Sequence, residues 1–169
     1  MSKLITFEEA ANLIKDEDLI VINGLISVLC PEKFLSLLEK RFLNKKHPQN
    51  LRVFAPGRVG WAPGKGIDHL AHPGLLKWLI SGSFSSDDSP ALDDMIKKNQ
   101  IEVYSYSIGV MYFWLRSIAS RFPGLITEVG LGTYVDPRLN AGEITSCCQK
   151  KNGKNHRNRR ERVYTLSTF

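Results

Sequence analysis

The chain has 169 residues, 43% of them apolar, which is enough for one domain with a buried core. Its formal net charge of +6 lies entirely in residues 149–162, where seven Lys or Arg and one Glu leave the rest neutral, which argues against a basic nucleic-acid-binding body. The N-terminus lacks a signal-peptide core and no apolar run approaches the ~20 residues of a membrane span, so we expect a soluble cytoplasmic protein.

The first part of the chain predicts a helix, a strand and a second helix. Thr6 and Glu9 fit a capping box ahead of apolar residues at helical spacing, which predicts a first helix. Residues 19–22 form a short, β-branched run without polar side chains, as expected of a strand covered on both faces. Proline is tolerated in a first helical turn, so Pro31 favours a helix that extends through about Leu43.

The remainder alternates between strand and helix patterns. The predicted strands are residues 51–55, 79–83, 102–105 and 125–129. The predicted helices are residues 73–78, 90–98 and 108–122. Alternation of this regularity indicates βαβ crossovers. The sequence therefore predicts an α/β fold with an open, mainly parallel sheet and flanking helices.

Glycines collect where the predicted strands end. The four segments are Asn23-Gly24, residues 56–66, Ser81-Gly82 and residues 130–136. Ligands of open parallel sheets bind at the carboxyl ends of the strands, and glycine lets backbone N–H groups approach them closely. The segments lack the G-K-[ST] ending of a P-loop and the third glycine of a dinucleotide fingerprint. Each segment alone is interpreted as a structural turn, and only their shared position at one edge favours binding of a small anion.

Other side chains give weaker alternatives. Asp68, His69 and His72 are spaced to ligate a metal, but a loop histidine pair beside a proline more often hydrogen-bonds its surroundings, so no metal is expected. Cys30 has no recognisable base partner, and the three cysteines lack zinc-site spacing, so reduced thiols are expected. The three tryptophans are interpreted as core or interface residues: Trp61, Trp78 and Trp114.

Three stretches carry a family resemblance. They are KDEDLIVINGLISVLCPEKFL (residues 15–35), FAPGRVGWAPGKGIDHLAHPGLLKWLISGSF (residues 54–84) and PGLITEVGLGTYVDPRLNAG (residues 123–142). Across residues 1–142 the chain resembles the N-terminal half of a class I coenzyme A transferase of the acyl-CoA:acetate/3-ketoacid and propionate type. The resemblance implies an open α/β fold of the NagB/RpiA-like kind, repeated in two tandem halves with the active site between them.

The resemblance also implies the chemistry. In this family a glutamate carboxylate attacks an acyl-CoA thioester and forms an acyl-glutamyl anhydride, then a glutamyl-CoA thioester that passes CoA to a second carboxylate. Backbone N–H groups stabilise the oxyanion of such a reaction. The glutamate belongs to the C-terminal half, in an E-x-G-x-x-G setting, so the resemblance assigns no catalytic residue to this chain. Glu128 begins a similar motif, but its second glycine comes one position early, so Glu128 is interpreted as a wall residue.

By position in the family, the loops of this half shape the acyl and carboxylate pocket. The implied substrate-binding residues are Gly24, Gly57, Arg58, Val59, Gly60, Gly130, Gly132, Thr133 and Asp136. The implied substrates are an acyl-CoA and a short-chain carboxylate, with coenzyme A acting as substrate and neither a metal nor another cofactor expected. The resemblance further implies a homo-oligomer when the enzyme is complete, with no nucleic-acid or membrane partner.

The basic tail, residues 143–169, departs from the family. Lys151 to Thr165 can be encoded so that reading one nucleotide later gives KMGKIIEIDGKEYT, which has the alternation and central Asp-Gly of a hairpin and resembles the family at this point. An adenine-rich tract coding for Lys150 and Lys151 is a plausible slip site. We therefore interpret residues 1–142 as an incomplete transferase domain and residues 143–169 as a disordered, out-of-frame tail.

Two alternatives remain open from the sequence. The chain could be the genuine A subunit of a two-chain transferase, which requires a folded C-terminus and a separate chain that carries the glutamate. It could also be a binding module that uses its basic tail for RNA or DNA, which predicts salt-dependent binding. If the chain is a half, apolar surface intended for the other half is exposed, and aggregation is expected.

Overall fold

The computed structural model describes residues 4–147 and, as backbone only, a strand near the C-terminus. The helices are α1 (Phe7–Leu13), α2 (Glu32–Lys45), a 3₁₀ helix (Gly66–Leu70), α3 (Pro90–Lys97) and α4 (Ile108–Ala119). The strands are β1 (Leu19–Val21), β2 (Leu51–Ala55), β3 (Leu76–Ser81), β4 (Glu102–Ser105), β5 (Gly124–Thr127) and β6 (Tyr164–Ser167).

The first four strands form one parallel sheet in the order β1-β2-β3-β4. Each strand lies beside the one before it, so every connection is a crossover that places a helix on a sheet face. Val21 is opposite Phe54, and Ala55, Ser81 and Ser105 lie in one row. The carboxyl ends of all four strands therefore meet at a single edge, and the predicted α/β fold is confirmed.

Two hydrophobic cores cover the two faces of the sheet. Val53 and Ala55 of β2 face a core formed with α1, α2, α3 and the 3₁₀ helix. Phe54, between them in sequence, faces the opposite core, where Met111 and Trp114 of α4 pack against it. This alternation follows from the period of two in a strand, and it explains why the central strands read as unbroken apolar runs.

The first helix forms for the reason that the sequence indicates. The Glu9 N–H donates to Thr6 Oγ1 at 3.1 Å, and the Thr6 N–H donates to Glu9 Oε2 at 2.8 Å, which completes the capping box. These two bonds satisfy backbone donors that an uncapped helix would leave unpaired. The helix then buries Ala11 against α2, so α1 begins and packs as predicted.

The prediction for residues 73–83 is wrong in part. A helix was expected at 73–78 and a strand at 79–83, but β3 begins at Leu76 and ends at Ser81. Gly74 at φ 89° lies in a turn before the strand, and pairing with β2 begins at Leu76. A short apolar run fits both helical and strand periodicity, and here the hydrogen bonds of β2 and β4 on either side select the strand.

The end of the described chain differs from the expected arrangement in two respects. The last predicted strand exists as β5, but it pairs antiparallel with β6 instead of joining the main sheet. Contacts with β4 continue past residue 142, because the Ile144 N–H donates to Val103 O at 2.8 Å and the Val103 N–H donates to Thr145 Oγ1 at 2.9 Å. The folded body therefore passes the predicted boundary and reaches residue 147.

Most of the basic tail, residues 148–163 and 168–169, lies outside the described residues, so its disorder and its out-of-frame origin remain predictions. In the part of the chain that the structure describes, none of the helices has both the length and the apolar character needed to cross a bilayer.

Candidate functional site

Three of the predicted glycine segments meet at the carboxyl edge of the sheet. A methyl group at Gly57 would lie 2.2 Å from the carbonyl oxygen of Gly24, so the loop after β2 rests directly on the loop after β1. A methyl group at Gly82 would lie 2.3 Å from the carbonyl oxygen of Pro56, which brings in the loop after β3. Only glycine permits these backbone contacts, so the sequence encodes the convergence of the three loops.

Backbone hydrogen bonds join the first two loops into one unit. The Ile26 N–H donates to Arg58 O at 2.6 Å, and the Gly60 N–H donates to Ile26 O at 3.3 Å. Gly60 adopts φ 143° and is buried, which places the turn of the second loop beneath the first. Arg58, Val59 and Gly60, named from the sequence as binding residues, are thus brought together with Gly24 and Gly57.

The second loop contains backbone donors without protein acceptors. Within residues 4–147, the N–H groups of Gly57, Arg58 and Val59 donate to no protein oxygen. Gly57 and Val59 are nonetheless buried. Buried N–H groups are nearly always paired with protein, water or ligand, so the donors of Gly57 and Val59, with that of the half-buried Arg58 between them, are suited to an anionic oxygen.

A shallow, open depression adjoins this loop. Its lining combines apolar side chains with serine hydroxyls and Arg58, which is paired to Asp88 at 3.2 Å between Nη1 and Oδ2. The lining residues are Ala55, Arg58, Val59, Ile67, Leu79, Ser81, Ser83, Phe84, Ser85, Ser89 and Leu92. Hydroxyl and guanidinium groups among apolar side chains suit the chemistry of a small carboxylate.

The loop after β1 projects apolar side chains next to these donors. Leu25, Val28 and Leu29 are exposed, and Ile26 is exposed by 38%. Ile26 and Leu29 both adopt φ 58°, a left-handed conformation that is rare for branched side chains. The edge of the sheet therefore combines buried polar donors with an exposed apolar rim that the described residues do not cover.

The fourth predicted segment, residues 130–136, lies beside β4 and not among the three converging loops. Tyr134 Oη lies 3.1 Å from Ser105 Oγ at the end of β4. The Gly142 N–H donates to Tyr134 O at 3.0 Å, and the Ser105 N–H donates to Gly142 O at 2.8 Å. These contacts fix the segment at the same edge of the sheet, one strand further along.

Asp136 holds this segment together from inside. Its side chain is 1% exposed and accepts from the Gly132 N–H at 2.8 Å and from the Arg138 N–H at 2.9 Å. The Arg138 guanidinium also donates to both carboxylate oxygens. Arg138 and then the Gly132 N–H hold the pKa of the Asp136 carboxyl well below its usual range. Gly132 adopts φ 75°, and its N–H is already used by the protein.

Asp136→Asn is expected to lower the thermal midpoint of unfolding, because the amide loses the ion pair with Arg138. Its NH₂ group would also face the N–H donors of Gly132 and Arg138, which need an acceptor. Since the folded pKa is depressed, the contribution of Asp136 is present above its unfolded pKa and is lost as pH falls through the folded value. Thermal melts at neutral and acidic pH measure both effects. The gap between the native chain and the variant should narrow as pH falls below the unfolded pKa of Asp136, and a constant gap would contradict this role.

The roles of the remaining residues named from the sequence stay predictions, and the structure gives their local contacts. Thr133 Oγ1 donates to Gly130 O at 2.6 Å, which closes the turn that Gly130 begins at φ 98°. Glu128 is exposed in the turn that follows β5. Burial, with the neighbouring Glu32 charge, raises the pKa of the Cys30 thiol to about 11, so Cys30 is not a nucleophile at neutral pH.

The histidine pair is hydrogen-bonded, as the alternative to a metal site predicts. His69 and His72 contact Glu39 through Nδ1 at 2.6 Å and Nε2 at 2.7 Å, respectively. Asp68 instead accepts from the Leu92 N–H at 3.0 Å and caps the approach to α3. Within the described ranges, no group of three or more His, Cys, Asp or Glu side chains has an arrangement that could hold a metal ion. Sequence reasoning missed Glu39 and its helix neighbour Glu32, although their spacing of seven on α2 places them on one face.

A parallel α/β sheet whose carboxyl edge carries converging glycine loops defines a ligand-binding domain of the open α/β class. Comparison with known proteins identifies the family to which this domain belongs. The family described as "Coenzyme A transferase" matches residues 4–161. The chain therefore belongs to the coenzyme A transferase family.

The chain is 33% identical to the acetate CoA-transferase YdiF of Escherichia coli O157:H7, over 83% of this chain and 26% of the relative. The crystal structure of the YdiF apoenzyme from that organism matches with a TM-score of 0.75 at 32% identity, over 84% of this chain and 27% of that chain. The acetoacetyl-CoA:acetate/butyrate CoA transferase alpha subunit of Clostridium acetobutylicum is 27% identical over 80% of this chain and 58% of its own length. The chain thus spans between 26% and 58% of these relatives.

Proposed function

We propose that this chain belongs to the pocket-forming half of an enzyme that transfers CoA from an acyl-CoA to acetate or to another short-chain carboxylic or 3-keto acid. The observation that carries the proposal is the row of unpaired N–H groups at Gly57, Arg58 and Val59, set between the loops after β1 and β3. Such donors stabilise the negative oxygen that develops when a carboxylate attacks a thioester. The family membership supplies the reaction class.

In the proposed reaction the nucleophile comes from outside this chain. A glutamate carboxylate of the second half attacks the thioester carbonyl and expels the CoA thiolate, which leaves an acyl-glutamyl anhydride. The thiolate then attacks the glutamyl carbonyl, releases the donor acid and forms a glutamyl-CoA thioester. The acceptor carboxylate reverses these two steps, so that it leaves as the new acyl-CoA and the glutamate is restored. The contribution of this half is to bind and orient the acyl and carboxylate groups and to offer the backbone donors. Arg58, whose charge is balanced by Asp88 at 3.2 Å, lines the depression beside this loop, where its guanidinium can attract an acid.

The apolar rim supports a second half that covers this edge. Leu25, Val28 and Leu29 are exposed by 55%, 65% and 79%. They lie directly beside residues 57–60, the part of the loop after β2 that carries the unpaired N–H groups and that we call the donor loop. Apolar groups clustered at a polar site commonly mark an interface. The chain spans about a quarter of YdiF, so a covering domain can come from the part of such a relative that this chain does not match.

The reading-frame hypothesis accounts for the separation from that second half. In this hypothesis, loss of frame near Lys150 replaced the continuation of the enzyme with the basic tail. Reading the coding DNA tests it directly. The shifted frame is expected to continue into a segment with an E-x-G-x-x-G glutamate, and a shifted frame that meets stop codons at once would contradict it.

A two-chain enzyme is the second candidate. It is favoured by the similarity to the Clostridium acetobutylicum relative, which is itself an alpha subunit and which this chain matches over 58% of its length. In this alternative the glutamate lies on a separately encoded chain. An adjacent gene that encodes the glutamate half would favour it over a frameshift.

The purified chain is expected to show no exchange of CoA between acetyl-CoA and labelled propionate, because it contains the binding loops without the attacking carboxylate. Radiochemical exchange measures this directly, and denatured chain provides the background. Exchange above that background would contradict the proposal that the attacking carboxylate lies outside this chain.

A further inference from the structure

A charged network lies behind the donor loop, between α2 and the 3₁₀ helix. His69 is 8% exposed, and its ring lies between two carboxylates, with Nε2 3.0 Å from Glu32 Oε1 and Nδ1 2.6 Å from Glu39 Oε2. His72 Nε2 reaches the other oxygen of Glu39 at 2.7 Å. Lys65 Nζ reaches Glu32 Oε1 at 3.2 Å. Five side chains thus form one continuous chain of charge-assisted contacts across the two elements.

The two glutamates are held in the charged form. Burial opposes the ionisation of Glu32, but the Gly66 N–H, His69 and Lys65 together hold its pKa below the usual value. Burial likewise opposes the ionisation of Glu39, and His72 and His69 together hold its pKa below the usual value. Both carboxylates therefore act as anions at neutral pH and accept every contact of the network.

The network is connected to the donor loop through Gly66. The Gly66 N–H donates to Glu32 Oε2 at 2.9 Å. On its other side Gly66, at φ 61°, packs so closely on the loop that a methyl group there would lie 2.6 Å from Gly60 Cα. The next residue, Ile67, donates its N–H to Val59 O at 2.9 Å. Glu32 and the loop that carries the unpaired donors are therefore separated by one residue of backbone.

From this geometry we propose that Glu32, Glu39, His69 and His72 are positioning residues for the donor loop. Their contacts hold the 3₁₀ helix against α2, and we call this set of contacts the clamp. The 3₁₀ helix in turn fixes the position of residues 57–60 relative to the carboxyl edge of the sheet. The inference rests on the proposed function only in treating that loop as the binding loop. None of the four residues touches the substrate in this scheme.

The clamp is expected to open in acid. Both glutamates have depressed folded pKa values, so their contribution is present above the unfolded pKa and is lost as pH falls through the folded one. The charged groups that α2, the 3₁₀ helix and the loop before it present to the clamp are Lys65, His69 and His72, with the Cys30 thiol close to Glu32. From α3, packed on the other side of the 3₁₀ helix, Asp93 and Asp94 are paired with Lys97 and Lys98.

The test uses ¹⁹F NMR of the whole chain labelled with 5-fluorotryptophan, which reports on its three tryptophans. Trp61 directly follows Gly60, whereas Trp78 and Trp114 pack in the core on the opposite sheet face. Glu39→Gln keeps the shape of the side chain and removes its charge. At neutral pH this variant is expected to shift the Trp61 resonance to the position that the native chain reaches on acidification, with Trp114 unmoved.

The matched control is Asp16→Asn, which removes the carboxylate from an exposed pair with His47 at 2.9 Å. It is expected to leave the Trp61 resonance in place. A Trp61 resonance in Glu39→Gln that coincides with the native one at neutral pH, and titrates with it, would overturn the proposal.

Glu32→Gln serves as the second variant with the same expectation. If both variants unfold, acid titration of the native chain decides the question. Movement of Trp61 at higher pH than Trp114 supports the clamp, and simultaneous movement of all three resonances contradicts it. Since CoA exchange is not measured, failure of the clamp leaves the proposed function intact.

Discussion

A gene in which one nucleotide is removed from the tract encoding Lys150 and Lys151 is expected to produce a longer protein that transfers CoA. The loops after β1, β2 and β3 are already assembled in the present chain, with Gly57 against Gly24. What the proposal adds is a covering half with a nucleophilic carboxylate. We expect turnover on the order of 1–1000 s⁻¹, typical of enzymes, for the longer protein, and no exchange for the short chain.

The matched control for this experiment is Glu128→Gln in the longer protein. Glu128 begins a sequence similar to the nucleophile motif, but it lies in an exposed turn after β5, so its replacement should change turnover only a few-fold. Loss of the glutamyl-CoA intermediate on mutation of Glu128 would place the nucleophile in this half. A longer protein that folds but shows no exchange with any short-chain acid would contradict the proposed function.

Gly57→Ala is expected to destabilise the chain by about 3 kcal/mol, the upper part of the range for overpacked sites. The added methyl group would lie 2.2 Å from the carbonyl oxygen of Gly24, which is backbone and has no rotamer that relieves the clash. Relief requires separation of the loops after β1 and β2. Chemical denaturation with an unchanged slope measures the loss of free energy.

Gly109→Ala is the control for this substitution. Gly109 lies in the first turn of α4 with nothing within 4 Å of an added methyl group, and it has no positive φ. The same mutation there should raise the free energy of unfolding by about 0.5 kcal/mol through the unfolded-state entropy. Equal effects at the two positions would show that the contact between Gly57 and Gly24 does not constrain the fold.

Local chemistry made much of the fold predictable. The capping box of Thr6 and Glu9 and the unbroken apolar run of β2 specify their elements within a few residues, and the structure confirms both. The alternation of predicted strands and helices was enough to predict a parallel sheet, because crossover connections allow few other arrangements. The glycine segments could be placed at one edge for the same reason.

The errors lie where tertiary contacts decide. The start of β3 depends on pairing with β2 and β4, which the local pattern of residues 73–83 does not contain. Glu32 and Glu39 are ordinary helix-surface residues in sequence, and only the approach of the 3₁₀ helix turns them into partners of His69. The internal contacts of the Asp136 carboxylate with Arg138 and Gly132 are likewise invisible in the sequence, and a role of Asp136 in substrate binding stays a prediction.

The loop that follows β1 has a further consequence. Leu29 is 79% exposed at φ 58°, so its side chain is unfavourable both in water and in its own backbone conformation. Glycine in place of Leu29 would remove both penalties in the isolated chain. Polar residues in place of Leu25 and Val28 would lower its tendency to aggregate. Substitutions at these few positions that improve the solubility of the isolated chain are therefore expected to weaken its assembly with a covering domain.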